Sequence, residues 1–156
     1  MLVGWVNMIF VTVGTGKFDL LIKEIDKIAP ILKEKIVMQI GNGFYEPKNC
    51  EFFRYARSLE RYYKRARLVI AHGGAGTTYE LLRMNKKIVS MANLDRTDPH
   101  QQEILGALSE QNHLIWCKNP SELVNCIKKA KKFKFKKYKT PKCEIAEKIL
   151  VFLNNL

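Results

Sequence analysis

Residues His72 to Thr78 read HGGAGTT, with Glu80 just beyond, and the run follows directly on the apolar stretch Leu68–Ala71. Glycine gives up more backbone freedom on folding than any other residue, so three in five positions need a reason. A loop of small residues that opens a helix presents unpaired N–H groups and roughly +0.5 of partial charge from the helix dipole. That arrangement suits phosphate. Gly73, Gly74, Ala75 and Gly76 would let a diphosphate approach the main chain, and Thr77 and Thr78 would add hydroxyl donors. Glu80, one turn into the helix, could accept hydrogen bonds from ribose hydroxyls. For one glycine, a tight strand-to-helix turn with Glu80 on a solvated face would suffice. For the whole string a ligand is the better explanation.

Several phosphate chemistries can be set aside. The P-loop string GxxxxGK[ST] does not occur. A dinucleotide fingerprint needs a third glycine where Tyr79 stands, and an acid at the end of the next strand, where Asp95 comes too late. The other early glycine loop, Gly14-Thr15-Gly16, also lacks a third glycine. Nicotinamide and flavin therefore fit poorly, and no cofactor is expected. A metal-dependent sugar-nucleotide site would usually carry DxD, and Asp95-Arg96-Thr97-Asp98 has the wrong spacing. No metal is expected. The four cysteines, Cys50, Cys117, Cys126 and Cys143, form no CxxC and read as reduced, partly buried thiols.

The elements that would position these residues alternate along the chain. Strands are expected at Met8–Val13, Ile36–Ile40, Glu51–Arg54, Leu68–Ala71, Ile88–Met91 and Leu114–Trp116. Helices are expected at Phe18–Ala29 (ended by Pro30), Ser58–Arg65, Thr77–Met84, from Asp98-Pro99 onward, Pro120–Lys131 and Glu144–Leu153. The last should turn Ile145, Ile149, Leu150 and Leu153 inward. Strict alternation predicts an α/β fold, a Rossmann-like parallel sheet with helices on both faces. In such sheets ligands bind beyond the carboxyl ends of the strands. The glycine clusters at 14–16, 41–43 and 73–76 each follow a strand, so three separate loops converge on one edge.

At 156 residues and 47% hydrophobic content, the chain suits one domain with a real core. No apolar run approaches the ~18 residues of a membrane helix. Met1–Asn7 reads as an N-terminal extension ahead of Met8, itself a candidate start, and lacks the features of a signal peptide. The net charge is +12, but Lys128–Lys142 holds nine lysines and no acid, leaving +3 for the rest.

HGGAGTTYE, followed about twenty residues on by DPHQQE, resembles the donor-binding C-terminal half of GT-B glycosyltransferases of family 28. Full-length members such as the MurG type have two Rossmann-like halves. This chain resembles one half alone, as in the split enzymes. These are the catalytic subunit of the dolichol-linked N-acetylglucosaminyltransferase and the PssE/EpsE-type subunits of exopolysaccharide assembly. The opening MIFVTVGT matches those subunits, and the resemblance spans roughly Met8 to Trp116.

The resemblance implies a donor site. Gly14 and Thr15 would face the donor diphosphate, with Gln39 and Gly41 in the QxG that ends the second strand. Gly73 to Thr77 would hold the diphosphate, and Glu80 the ribose. Gln101 and Gln102 would contact the sugar, and Ala56 would lie where uracil is held by backbone groups. His72 and His100 precede these motifs and would contact phosphate or sugar, or else be satisfied polar residues at element ends. The reaction implied is inverting transfer from a UDP-sugar, N-acetylglucosamine or glucuronic acid, to a polyprenyl-diphosphate-linked acceptor. Arg96 is a candidate partner for a glucuronate carboxylate. No general base is evident in this chain. A membrane-anchored partner subunit would supply the acceptor side and hold the complex at the cytoplasmic face of the membrane.

Two other readings stay open. One is a basic nucleic-acid-binding α/β module; the other is a UDP-binding regulatory protein without transferase activity. For Lys128–Lys142, with Phe133, Phe135 and Tyr138 interleaved, a solvated linker is the first expectation. An anionic bilayer surface is the second and nucleic acid the last. Arg54, Arg57, Arg61 and Arg65 are spaced as a basic stripe near the donor edge, or as a solvated face.

Overall fold

A computed structural model describes residues 7–95 and 99–155. Six parallel strands form one sheet: β1 (Met8–Thr12), β2 (Ile36–Gln39), β3 (Glu51–Phe53), β4 (Ala66–His72), β5 (Ile88–Met91) and β6 (Ile115–Trp116). Their order is β3-β2-β1-β4-β5-β6. That is the doubly wound order, with the switch between β1 and β4. Val11 is in register with Met38 on one side and Ile70 on the other.

The apolar runs are continuous rather than alternating because both faces of the sheet are covered. Ile9 and Val11 point to one face, where α1 (Asp19–Leu32) contributes Leu21, Ile22 and Ile25 and α5 (Leu123–Lys132) contributes Leu123 and Ile127. Met8 and Phe10 point to the other, against Tyr63 of α2 (Glu60–Arg65), Leu81 and Leu82 of α3 (Ala75–Arg83), and Leu105 and Leu108 of α4 (His100–Glu110). A 3-10 turn at Pro120–Glu122 leads into α5. The parallel sheet with two helical layers is as expected.

Three of the helix expectations need correction. Helix α1 does not stop at Pro30 but runs to Leu32. Proline removes the hydrogen bond that its N–H would have made to the carbonyl of Asp26. Asn49 Nδ2 donates to that carbonyl instead, at 3.2 Å, so the vacancy is filled from outside the helix. Helix α3 starts at Ala75 rather than Thr77, which puts Ala75 and Gly76 inside the first turn. The closing helix α6 (Ile145–Asn154) forms, but it is not turned inward. Ile145, Ile149, Leu150 and Leu153 are each more than half exposed, as are Val151 and Phe152. Periodicity specified an apolar face, and no element among the described residues covers it.

The lysine-rich segment is not simply a solvated linker. Phe133 and Phe135 pack against the α1/α5 layer. Tyr138 packs against the other layer, with ring centroids 5.7 Å from Tyr79 and 5.4 Å from His113. Lys136 N donates to Asn112 O, and His113 Nδ1 to Lys136 O, both at 2.9 Å. The segment is a strap joining the two helical layers, with its aromatic rings turned in and its lysines out. No helix of the described residues is long and apolar enough to cross a membrane. Of the extension expected at Met1–Asn7, only Asn7 lies within the described residues.

Candidate functional site

The three glycine loops meet at the carboxyl edge of β1, β2 and β4. Gly14 and Gly41 have φ of 65° and 53°, the left-handed region that glycine occupies without strain. A Cβ on Gly41 would lie 2.2 Å from Gly16 O and 2.9 Å from Gly14 O, so the first two loops are in backbone contact. Asn42 N donates to Gly16 O at 2.9 Å and Asn42 Nδ2 to the carbonyl of exposed Thr15 at 3.2 Å. Beneath them Thr12 Oγ1 donates to Gln39 Oε1 and accepts from Gly14 N at 3.2 Å. Gln39 is buried, so its side chain holds the first loop from below and does not line the surface above it.

His72 joins the first loop to the third. Its Nδ1 accepts from Gly74 N at 3.1 Å. That bond requires an unprotonated Nδ1, so in the neutral ring the proton sits on Nε2. Nε2 lies 3.5 Å from Thr77 Oγ1. A Cβ on Gly14 would stand 2.9 Å from this same nitrogen. The ring therefore fills the space between the loops.

The glycines of the third loop have different reasons. A Cβ at Gly73 would meet Leu105 Cδ1 at 2.9 Å, and one at Gly74 would meet His72 Cε1 at 2.3 Å. Both are bare because the protein itself needs the room. Gly76 is bare although a Cβ there would meet nothing within 4 Å beyond its own helical turn, and its φ is not positive. Nothing in the fold demands glycine in this helical turn. The first turn of α3 leaves the N–H groups of Ala75, Gly76 and Thr77 without intrahelical partners. Exposed Ala75 and Gly76 keep the approach to them open.

Thr78 is withdrawn from the expected donor set. It is buried, and its hydroxyl donates to Gly74 O at 2.8 Å, reinforcing the bond from its own N–H at 3.0 Å. Thr77 stays half-exposed. Glu80 is exposed on α3, with no ion pair among the described residues. Beneath it, Tyr63 is fully buried. Burial chiefly, with the charge of Glu80 adding to it, pushes that phenol above its ordinary range.

The tandem glutamines part company. Gln101 is buried, and its Oε1 accepts from Asn93 N at 3.0 Å, fixing the β5–α4 connection beside Gly73. Gln102 is exposed at the site edge. His100 is exposed too, with Nδ1 3.4 Å from Glu103 Oε2. Ala56 lies half-buried in the crossing from β3 to α2, after the carboxyl end of β3. Arg96 and the second acid of Asp95–Asp98 fall outside the described residues. Among the described residues no group of three His, Cys, Asp or Glu side chains could hold a metal ion.

Three scaffold residues, Asp19, Asn93 and Asp26, escaped the sequence reading, and a fourth, Arg54, was given another role. Asp19 accepts from Phe44 N at 3.1 Å and Tyr45 N at 3.3 Å. Arg54 donates to Gly41 O at 3.2 Å and Gly43 O at 2.7 Å, so it belongs to the second loop and not to a helical basic stripe. Arg61 of that stripe stacks on Tyr62. Asn93 Nδ2 donates to Lys17 O at 2.9 Å, tying β5 to the first loop. Asp26 is buried and accepts from Tyr45 Oη at 2.7 Å, Asn49 N at 2.7 Å and Lys48 N at 3.0 Å. Burial opposes its charge, but these donors outweigh burial and hold the carboxyl below its ordinary value. Beside it, burial first and the Asp26 charge second push the Cys50 thiol up to about 12.

Known proteins show the same arrangement of elements. The human UDP-N-acetylglucosamine transferase subunit ALG13 is 34% identical over 122 residues, covering 70% of this chain and 11% of that protein. The Yarrowia lipolytica subunit of the same name is 29% identical over 100 residues, covering 63% of this chain and 51% of that one. This chain thus spans only about a tenth of the length of its human relative. Among solved structures, the solution structure of ALG13 superposes with a TM-score of 0.62 at 17% identity, covering 93% of this chain and 95% of that one. Acinetobacter baumannii MurG superposes at 0.70 and 16% identity, covering 97% of this chain and 50% of that one. At such identities the superpositions establish the fold alone, the Rossmann-like arrangement of one half of the GT-B architecture. Residues 8–155 match the glycosyltransferase family 28 C-terminal domain, and the chain belongs to that family.

Proposed function

We propose that this chain is the donor-binding subunit of a two-component inverting glycosyltransferase. It takes N-acetylglucosamine from UDP-N-acetylglucosamine and delivers it to a lipid-diphosphate-linked acceptor held by a membrane-anchored partner at the cytoplasmic face. The observation that carries the reading is Gly76, a glycine in a helical turn whose missing side chain faces open space. The named relatives support the choice of sugar.

In this reading the N–H groups of Ala75, Gly76 and Thr77 receive the diphosphate at the positive end of α3. As the acceptor hydroxyl attacks the anomeric carbon, the departing UDP gains negative charge. Donors fixed in advance stabilise that charge without having to reorganise. Backbone groups do this work, so we expect no metal requirement. The Nε2–H of His72, aimed between the first and third loops, adds one donor beside the diphosphate. Glu80 accepts from the ribose hydroxyls, and Gln102 meets the sugar. The acceptor proton is taken by a base on the partner.

Two features support a partner. The relatives this chain resembles are named as subunits of a transferase. Helix α6 carries a row of exposed apolar side chains beyond the strap, and patches of this kind mark interaction sites. We assign α6 to the partner subunit. Calorimetry with UDP, UDP-N-acetylglucosamine, UDP-glucuronate and NAD, with and without EDTA, tests the donor assignment. Metal-independent binding of UDP, tightened by the N-acetylglucosamine moiety, is expected. Binding of NAD, or of no nucleotide even with the partner present, would overturn it.

A further inference from the structure

A cavity of about 620 Å³ lies at the end of the sheet opposite the glycine loops and is lined by Lys33, Glu34, Lys35, Arg67, Lys87 and Lys131 together with Asn7. Topology explains the gathering. Lys35 directly precedes β2, Arg67 is the second residue of β4 and Lys87 directly precedes β5. All three stand at the amino ends of parallel strands. Lys33 caps α1, and Lys131 lies in the last turn of α5. Strand β4 has seven residues at ~3.3 Å each. The cavity is therefore about 20 Å from the glycine loops, too far to form part of the donor site.

Charge in this cavity is out of balance. Glu34 is its one carboxylate, already shared by Arg67 Nε and by Lys131 Nζ at 3.0 Å. Lys35 pairs with Glu51 at 2.9 Å. The end of α1 adds roughly −0.5. Five cations against these leave an excess of roughly +2.5, the helix end included. Neither Lys33 nor Lys87 has an ion pair among the described residues. Arg67 Nη2 has no hydrogen-bond partner among them either. Lys33 also holds φ at 52°, a left-handed cap conformation in which glycine is usual. A lysine there spends backbone strain and adds a cation to the rim. Like charges at a concave site repel unless an anion joins them.

We propose that this cavity is a second phosphate-binding site, for the diphosphate or polyphosphate group of a ligand other than the sugar donor. Lys33 and Lys87 close on the phosphates from two sides of the rim, and the Glu34–Arg67–Lys131 cluster fixes its floor. The phosphate can come from a soluble compound or from a lipid headgroup.

Residue-resolved ¹H–¹⁵N shifts on titration with inorganic pyrophosphate test the site, in the full chain saturated with UDP. We expect saturable shifts at Lys33, Lys35, Ile36 and Lys87. We expect affinity at these amides to be at least about tenfold weaker in Lys33→Ala/Lys87→Ala, a change of ~1.4 kcal/mol. Gly74→Val, which damages the donor loop and is titrated without UDP, should leave them unchanged. Flotation with phosphatidylcholine vesicles, with and without a phosphatidylinositol phosphate, separates the sources. Binding to the phosphoinositide vesicles that the double substitution abolishes would assign the site to a headgroup. Failure of those vesicles to compete, with pyrophosphate still bound, would assign it to a soluble ligand. Either outcome upholds the site. Pyrophosphate shifts confined to Gly73–Thr78, or a double variant that binds both probes as the wild type does, would overturn it. Because the readouts are at separate residues, failure here leaves the donor assignment intact, and failure there leaves this one intact.

Discussion

Substituting Gly76 by alanine should make the protein more stable and a poorer binder. Gly76 is the second residue of α3, outside the left-handed region, and an added Cβ meets no atom within 4 Å beyond its own helical turn. The folded state therefore accepts the methyl without strain, while the unfolded chain loses freedom. The gain should be about 0.5–1 kcal/mol, at the lower end because the position is in the first turn. If the open space at Gly76 admits the ligand, the same methyl takes up room that a phosphate oxygen needs to come within ~2.9 Å of the N–H groups of Ala75 and Thr77. Losing one such bond to a charged group should weaken UDP binding by ~1.5–3 kcal/mol, more than tenfold. Urea unfolding measures the first quantity and calorimetry the second, on the same preparations. Gly76→Ala binding UDP within twofold of the wild type would refute the argument that the bare backbone serves the ligand. Lost affinity together with lost stability would refute it as well, because the loop would then have been damaged. Gly41→Ala is the contrasting control. Its φ is positive and its Cβ would lie 2.2 Å from Gly16 O, so it should lose ~2 kcal/mol or more of stability.

Glu80→Ala should weaken UDP binding severalfold without moving the urea midpoint, as expected of an exposed carboxylate with no ion pair among the described residues; equal affinity by calorimetry would remove its ribose role. Asp26→Asn should cost ~2 kcal/mol, because Tyr45, Lys48 and Asn49 all donate to that carboxylate; urea unfolding reads it directly. The folded pKa of Asp26 is lowered, so its contribution is complete above the unfolded value of about 3.9 and drains as pH falls through the folded value. Wild-type stability should therefore drop more steeply below about pH 4 than that of Asp26→Asn. Removing α6 after Cys143 should leave the melting temperature within about 2 °C, since its side chains bury nothing here, but abolish association with the partner in co-purification.

The alternation of elements was legible because every central strand is buried on both faces and so reads as an unbroken apolar run. The convergence of three glycine loops followed from that alternation. What escaped were interactions that close across the chain. Pro30 looked like a helix end because the residue that catches the carbonyl of Asp26 is Asn49, on the far side of β2. Gln39, Thr78 and Gln101 looked like donor ligands because a polar residue after a strand reads the same whether it faces a ligand or braces a loop. Asp19, just after the first glycine loop, and Arg54, just after β3, were the charged residues available to brace the second loop. The apolar period of α6 was real, but periodicity does not say which molecule covers a face.

The strand lengths across the sheet run three, four, five, seven, four and two residues from β3 to β6. The sheet is widest at the switch point and tapers to both sides. A long, flat outer strand is a template on which other chains can add by backbone pairing. Here the two outer strands offer three residues and two. An unpaired outer strand is exposed to that hazard whenever copies of the chain meet. The taper lets its sheet stay unpaired without recruiting copies of itself.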